Sequence, residues 1–313
     1  MKSRGLIITV VVLSVLACAL LVCIGVLVAR LAATPAAGLG DAVAIVYVEG
    51  PIITGKPESE FSSSGIAYSE TIIKYLRDAQ NNASVKAIVL RVDSPGGSVV
   101  ASREMYDAVM ATRAKGKPVV ASFGEIAASG GYYISAGADK IYAHPATLTG
   151  SIGVISVFPS FEGLGEKIGV KFTVIKSGPH KDQGAGYRDL TPEERAIWQT
   201  LTDEIYGDFV SVVAQGRKLE TARVRELADG RVYTGKQAKQ VGLVDELGNL
   251  DAAVDAAAKL GNISGTPRRI EFRTKPSFLS AFSFASPAWN ARALADLFAL
   301  GQWGRVMYLY VAP

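Results

Sequence analysis

Three short stretches of this sequence carry residues that could do chemistry, and each follows a β-branched run. Asp93-Ser94-Pro95-Gly96-Gly97 comes after residues 88–92. A strand that enters a Pro-Gly-Gly turn ahead of a helix leaves main-chain N–H groups unpaired, suited to an oxyanion or a phosphate; the plainer alternative is a tight strand-to-helix turn. Ala127-Ala128-Ser129-Gly130-Gly131 comes after residues 119–123. Small flanking residues let a substrate approach the Ser129 hydroxyl closely, although they would equally serve close packing at a helix start. Ser177-Gly178-Pro179-His180-Lys181-Asp182 lies in a polar loop, where a lysine is ordinarily solvated charge. What singles out Lys181 is need: a serine nucleophile requires a base, and a lysine desolvated in an apolar site can lose its proton near neutral pH. Asp182 opposes this, because a carboxylate aimed at Lys181 would favour the charged ammonium, so it must point elsewhere if Lys181 is a base.

Composition leaves few other candidates. The only cysteines, Cys18 and Cys23, sit in an apolar N-terminal run, so the remainder has no thiol, disulfide or cysteine metal ligand. The only histidines, His144 and His180, are too few for a multi-histidine metal site. His144 follows Ser129 by 15 residues and reads as a strand-end residue rather than a triad base. No metal and no cofactor is expected. The net charge of +4 falls to +1 once residues 1–40 are set aside, so nucleic-acid binding is not indicated.

The elements that must position these turns begin with a membrane segment. Residues 6–29 are a run of 24 uncharged residues, about 36 Å as a helix and enough to cross a ~30 Å hydrocarbon core. Lys2 and Arg4 precede it and Arg30 follows, which places the N-terminus in the cytosol and the rest of the chain on the extracytoplasmic side of the cell membrane. A cleaved signal peptide is the rival reading, but a 24-residue run is long for that role. Residues 1–30 therefore read as a cytosolic stub and single-pass transmembrane anchor, and 31–41 as a small-residue linker. Beyond it, strand patterns at 43–48, 87–92, 118–123, 140–142, 152–157 and 171–175 alternate with helical patterns at 68–80, 98–113, 126–138 and 161–168. This rhythm predicts an α/β fold with a mostly parallel sheet. Thr191-Pro192-Glu193-Glu194 is a capping box that opens a helix expected to reach residue 215. Helices at 220–228, 235–241 and 250–260 complete a domain over 42–262, and 263–313, broken by Gly265, Pro267, Pro276 and Pro287, reads as a C-terminal tail.

Residues 93–98, 127–138, 148–154 and 176–182, in that order, resemble the motifs of the signal peptide peptidase A family in its short single-domain form. The resemblance implies a membrane-anchored Ser-Lys peptidase on a ClpP/crotonase-like fold of repeated ββα/βαβ units, needing no cofactor. Carried onto this chain, it makes Ser129 the nucleophile and Lys181, 52 residues on, the general base. Gly96 and Ser129 would supply oxyanion-hole N–H groups, and Ser151 would hydrogen-bond the lysine ammonium and orient it. The implied partners are remnant signal peptides and other extended apolar peptides, the membrane, and further copies of the chain in a homo-oligomer whose sites are shared between protomers. Small residues near the cut, held in shallow pockets beside Gly96 and Ser129, are the expected specificity. The rival readings on the same fold are a crotonase-like acyl-CoA enzyme, which would need neither Lys181 nor an anchor, and an inactive membrane scaffold.

Overall fold

β-branched runs with no polar face force a sheet that must be covered on both sides. The structure, a computed structural model, describes residues 18, 20, 21, 24, 25, 40–57, 65–273 and 306–309. Residues 1–40 and 41–313 are separate units. In the first, Cys18, Leu20, Leu21, Ile24 and Gly25 are helical; the rest of the expected anchor, and most of the expected linker, lie outside the described residues. Among the described residues no helix is long and apolar enough to cross a membrane.

In the second unit the chain forms β1 (Ala42–Glu49), β2 (Ile52–Ile53), β3 (Ala67–Tyr68), α1 (Ser69–Asn81), β4 (Val85–Ser94) and β5 (Gly96–Ser98). It continues through α2 (Val99–Ala114), β6 (Val119–Ala128), α3 (Gly130–Ser135), β7 (Lys140–Ala143), β8 (Leu148–Gly150), β9 (Ile155–Ser156) and α4 (Glu162–Ile168). Then follow α5 (Pro192–Arg217), α6 (Thr221–Leu227), β10 (Val232–Thr234), α7 (Gly235–Gln240), β11 (Glu246–Leu247), α8 (Leu250–Leu260), β12 (Arg268–Phe272) and β13 (Val306–Leu309). The larger sheet runs β10-β8-β6-β4-β1-β12, with β7 also on β6 and β11 on β7. Among its described pairings all are parallel except β8 with β10.

Side chains alternate between the two faces of each strand. Val43 and Ile45 of β1 join Val89 and Val120 beneath the Ala253, Val254 and Ala257 face of α8. Ala44, Val46 and Val48 join Ile88, Leu90, Leu76 and Met105 on the opposite face, under α1 and α2. Each fully buried aliphatic side chain of this kind contributes about 1.5–3 kcal/mol, so the strand ends that carry the chemistry are held by a two-sided core.

Three expected elements differ. The helix expected at 126–138 starts only at Gly130, because Ile126, Ala127 and Ala128 continue β6 by pairing with Leu148, Thr149 and Gly150. The strand expected at 152–157 shrinks to Ile155–Ser156, and residues 171–175 pair with no strand among the described residues and are exposed. Sheet formation also runs past residue 262: β12 lies parallel to β1 and covers its outer edge, and β13 joins a second sheet ordered β3-β2-β5-β13-β9. Unpaired strand edges seek partners, and the described parts of the tail supply them.

Two glycines of α5 separate helix propensity from packing. Nothing lies within 4 Å of a methyl added at Gly207, so Gly207→Ala should raise stability by about 0.5–1 kcal/mol. At Gly216 the same methyl would come 2.0 Å from the Ala136 carbonyl oxygen, where α5 passes the end of α3, so Gly216→Ala should destabilise. Thermal unfolding of the two variants should shift in opposite directions.

Candidate active site

Parallel pairing of β4 with β6 brings their carboxyl ends together, Ser94 opposite Ala127, so the first two glycine turns meet at one sheet edge. The Ser94 hydroxyl locks the first turn. It donates to Gly50 O at 2.7 Å and accepts from Gly96 N–H at 3.1 Å. Ser98 then caps α2, its hydroxyl accepting from Ala101 N–H. In the second turn Thr149 Oγ1 donates to Ala127 O at 2.7 Å, Ser129 N–H donates to Gly150 O at 2.8 Å, and Ser129 O accepts from Tyr133 N–H at 2.8 Å. These bonds hold Ser129 at φ 51° and ψ −115°, a strained conformation for a residue with a side chain, of the kind that aims a nucleophile out of a strand-to-helix turn. Ser129 is 1% exposed and its Oγ is buried without a hydrogen-bond partner.

The two N–H groups expected to face an oxyanion are already paired in this chain: Ser129 N–H with Gly150 O and Gly96 N–H with Ser94 Oγ. The neighbouring main-chain nitrogens of Gly97 and Gly130 pack closely here: a Cβ placed on Gly130 would lie 3.2 Å from Gly97 N, and one placed on Gly96 would lie 2.6 Å from Gly130 N. Gly96 contributes by lacking a side chain, at φ 98°, where a Cβ would also meet Tyr308 O at 2.2 Å. Both glycines belong to doubled pairs that are visible in the sequence, whereas the approach of residue 308 had no such signal.

Ser151, also at positive φ (48°) and 7% exposed, has its N–H on Arg231 O. It lines an open cleft of about 500 Å³ with Ile155, Gln199, Asp203 and Tyr206. Lys181 is exposed, and its side chain makes no hydrogen bond or ion pair with Ser129 or Ser151. The structure therefore brings Ser129 together with Gly96, Gly97 and Gly130, but does not bond Lys181 to them within the chain. Asp182 is turned away from Lys181. Its carboxylate accepts from Lys176 Nζ (2.7 Å), Arg188 Nη2 (2.7 Å) and Tyr187 OH (3.0 Å). Arg188 also forks onto Glu194, at 2.8 and 2.6 Å. Glu194 in turn accepts from Thr191 N–H (3.0 Å) while Thr191 Oγ1 accepts from Glu194 N–H (3.2 Å), the expected capping box. The objection raised by Asp182 is thus removed by a local ion cluster. His144 hydrogen-bonds only locally, to Ala146 N–H, in keeping with a strand-end role. Among the described residues no group of acidic, histidine or cysteine side chains could hold a metal ion.

Comparison with known proteins places this geometry in context. Residues 111–264 match the model of peptidase family S49, and residues 62–149 match that of Clp protease, which the largely parallel sheet fits. The chain is 47% identical over 205 residues to the protein named "Putative protease" of Synechocystis sp., covering 66% of this chain and 73% of that one. It is 40% identical over 208 residues to the "Putative signal peptide peptidase SppA" of Enterococcus faecium, covering 66% and 60%. With Protease 4 of Haemophilus influenzae it shares 41% over 220 residues, which is 70% of this chain and 35% of that longer protein.

The ion cluster predicts an acid transition. The Arg188 hydrogen bonds hold Asp182 well below the carboxylate range, and with the Thr191 N–H they lower Glu194 from 4.5 to about 2. Both groups titrate lower folded than unfolded, so their contribution is fully present above the ordinary value and is lost as pH falls through the folded one. Amide hydrogen exchange at residues 176–194, corrected for intrinsic rates, should be constant above about pH 5 and accelerate between about 4.5 and about 2. Arg188→Ala should remove that transition and loosen the segment at neutral pH.

Proposed function

Because this chain belongs to the signal peptide peptidase A family, peptidase family S49, and is a serine peptidase, we propose that it is a membrane-anchored endopeptidase that degrades remnant signal peptides through a Ser129–Lys181 dyad shared between protomers. The observation that carries the reading is the buried, unpartnered Ser129 hydroxyl where two glycine turns cross. A hydroxyl in that setting lacks only a base. Lys181 of the same chain makes no hydrogen bond with it, and Asp182 is neutralised by Arg188 and Lys176, which leaves the Lys181 ammonium free to reach a neighbour.

A large apolar surface beside that loop supports assembly. Ile155, Val157, Phe161, Leu164, Val170 and Phe172 are exposed, and Ile175 is 97% exposed, along a stretch that has lost its expected strand partner. Contiguous exposed apolar residues of this size mark an interaction face. Burying them against the next protomer would carry residues 176–182 toward its Ser129, past the cleft where Ser151 could receive and orient the lysine. The uncharged run at 6–29, with the Leu20, Leu21 and Ile24 side chains of its helical part exposed, supports the anchor and an extracytoplasmic catalytic unit.

In the reaction, Ser129 Oγ attacks the peptide carbonyl carbon as Lys181 takes its proton. The carbonyl oxygen becomes an oxyanion beside Gly97 and Gly130 N–H, and the C–N bond breaks as Lys181 returns the proton to the leaving amine. Water, deprotonated by the same lysine, then hydrolyses the acyl-serine and releases the carboxylate product.

Ser129→Ala and Lys181→Ala should each lose several orders of magnitude in hydrolysis of a synthetic leader peptide while remaining folded. Co-expressed as mixed assemblies, they should recover about a quarter of the sites if the dyad is shared head to tail, and none if it forms within one chain. The rate of the unmodified protein should climb with pH as the lysine loses its proton; a flat profile from about pH 6 to about pH 10, with chemistry limiting, excludes a lysine base.

A further inference from the structure

A second concave site lies where β4 and β6 meet the connection from β7 to β8 and the start of α8. It is a cleft of about 340 Å³, within the range of small-ligand sites (~300–1,000 Å³), and neither Ser129 nor Ser151 lines it. Phe123, Ala146 and Leu250 give it an apolar lining. Arg91 stands among them.

Arg91 is half-buried on β4, and the sheet engages only one of its nitrogens. Nη1 donates to Ser122 Oγ at 3.0 Å and to Phe123 O at 2.5 Å, both neutral acceptors. Among the described residues Arg91 has no carboxylate partner, and its Nε and Nη2 have no acceptor. Arg113, Arg188 and Arg217, whose side chains are also shielded from solvent, pair with Asp139, Asp182 and Asp245 respectively. A partly desolvated guanidinium without an anion is costly. The edge formed by Nε and Nη2 is the one that takes a carboxylate through two parallel hydrogen bonds.

The remaining polar groups narrow the ligand. Thr147 Oγ1 is committed to Gly124 O at 2.7 Å, and Asn249 Oδ1 to Ala252 N–H at 3.0 Å. His144 Nδ1 accepts from Ala146 N–H at 3.2 Å, so the neutral ring carries its proton on Nε2 and offers the cleft a second donor. Glu125, exposed in the same lining, opposes a doubly charged phosphate more than a singly charged carboxylate. One full charge, two donor groups and an apolar lining match a carboxylate joined to an apolar side chain. The volume exceeds that of a single leucine-sized acid, which leaves room for a preceding residue.

We propose that this cleft binds short apolar peptides by their C-terminal carboxylate, with Arg91 as the fork, His144 as the second donor, and Phe123 and Leu250 receiving the last side chain. The site goes beyond the peptidase reading and does not depend on it, although newly cut peptides carry the group that it recognises.

The test is calorimetric titration of the full chain with acetyl-Ala-Leu and with the same peptide closed as its C-terminal amide. The acid should bind at least about tenfold tighter than the amide. Equal affinity overturns the proposal and leaves hydrolysis, which is read at Ser129 and Lys181, untouched. Arg91→Gln should weaken the acid by about tenfold, and Arg91→Lys should not restore it, because an ammonium lacks the planar fork. Glu125→Gln, at an exposed position, should tighten it. Binding that ignores all three substitutions places the peptide elsewhere and refutes the cleft. Isocaproate, which keeps the carboxylate and side chain without a peptide group, should bind more weakly, as should inorganic phosphate; either one matching the peptide overturns the ligand assignment. Ser129→Ala should leave acetyl-Ala-Leu binding unchanged, and its loss there would assign the peptide to the serine turn instead of the cleft.

Discussion

The main-chain hydrogen bond from Ser129 N–H to Gly150 O, 2.8 Å long, extends the β6–β8 ladder one residue past the end of β6 and fixes where Ser129 stands. Because the following residue must begin α3, Ser129 is caught between a strand bond behind it and a helix bond ahead of it, and φ 51° is the result. A non-glycine residue in such a region costs on the order of 1–3 kcal/mol. The surroundings enforce it: Ala127, Ala128 and Tyr132 are fully buried, and the methyl of any residue larger than Gly130 would meet Ser102 Oγ at 2.5 Å. The same bond consumes the Ser129 N–H. One bond thus sets both the aim of the hydroxyl and the engagement of the donor beside it.

Much of this was legible in the sequence, for reasons that can be traced to particular residues. The β1 and β4 runs are apolar on both faces, which only a covered parallel sheet accommodates, and the Thr191–Glu194 box announced α5 through local bonds alone. Ser129 stood out for its small neighbours, the doubled glycines for the close contacts that a side chain would forbid, and Ser151 through the family motif alone. The errors arose where tertiary pairing overrides local pattern. Residues 126–128 read as helix but are claimed by β8, and residues 171–175 read as strand but find no partner among the described residues. That the Ser94 hydroxyl takes up the Gly96 N–H is a direction no spacing reveals. The tail was least legible of all, because β12 and β13 are defined by the distant edges that they cover.

Glu194 serves two elements at once. Its carboxylate closes the capping box at the start of α5 and also receives the Arg188 fork that ties down the loop carrying Lys181. The loop is therefore anchored to the first turn of a 26-residue helix whose far part lies in the core through Phe209, Val210 and Val213. The same cluster takes up the Asp182 carboxylate, which becomes part of the scaffold that presents the loop.

Joined by the chain to the groove it occupies, β13 meets that groove at an effective concentration that, for tethered ligands, is on the order of millimolar. The tether keeps the facing edges of β5 and β9 satisfied. Open edges of that kind are templates for indiscriminate strand pairing, so the resident strand is a guard against aggregation.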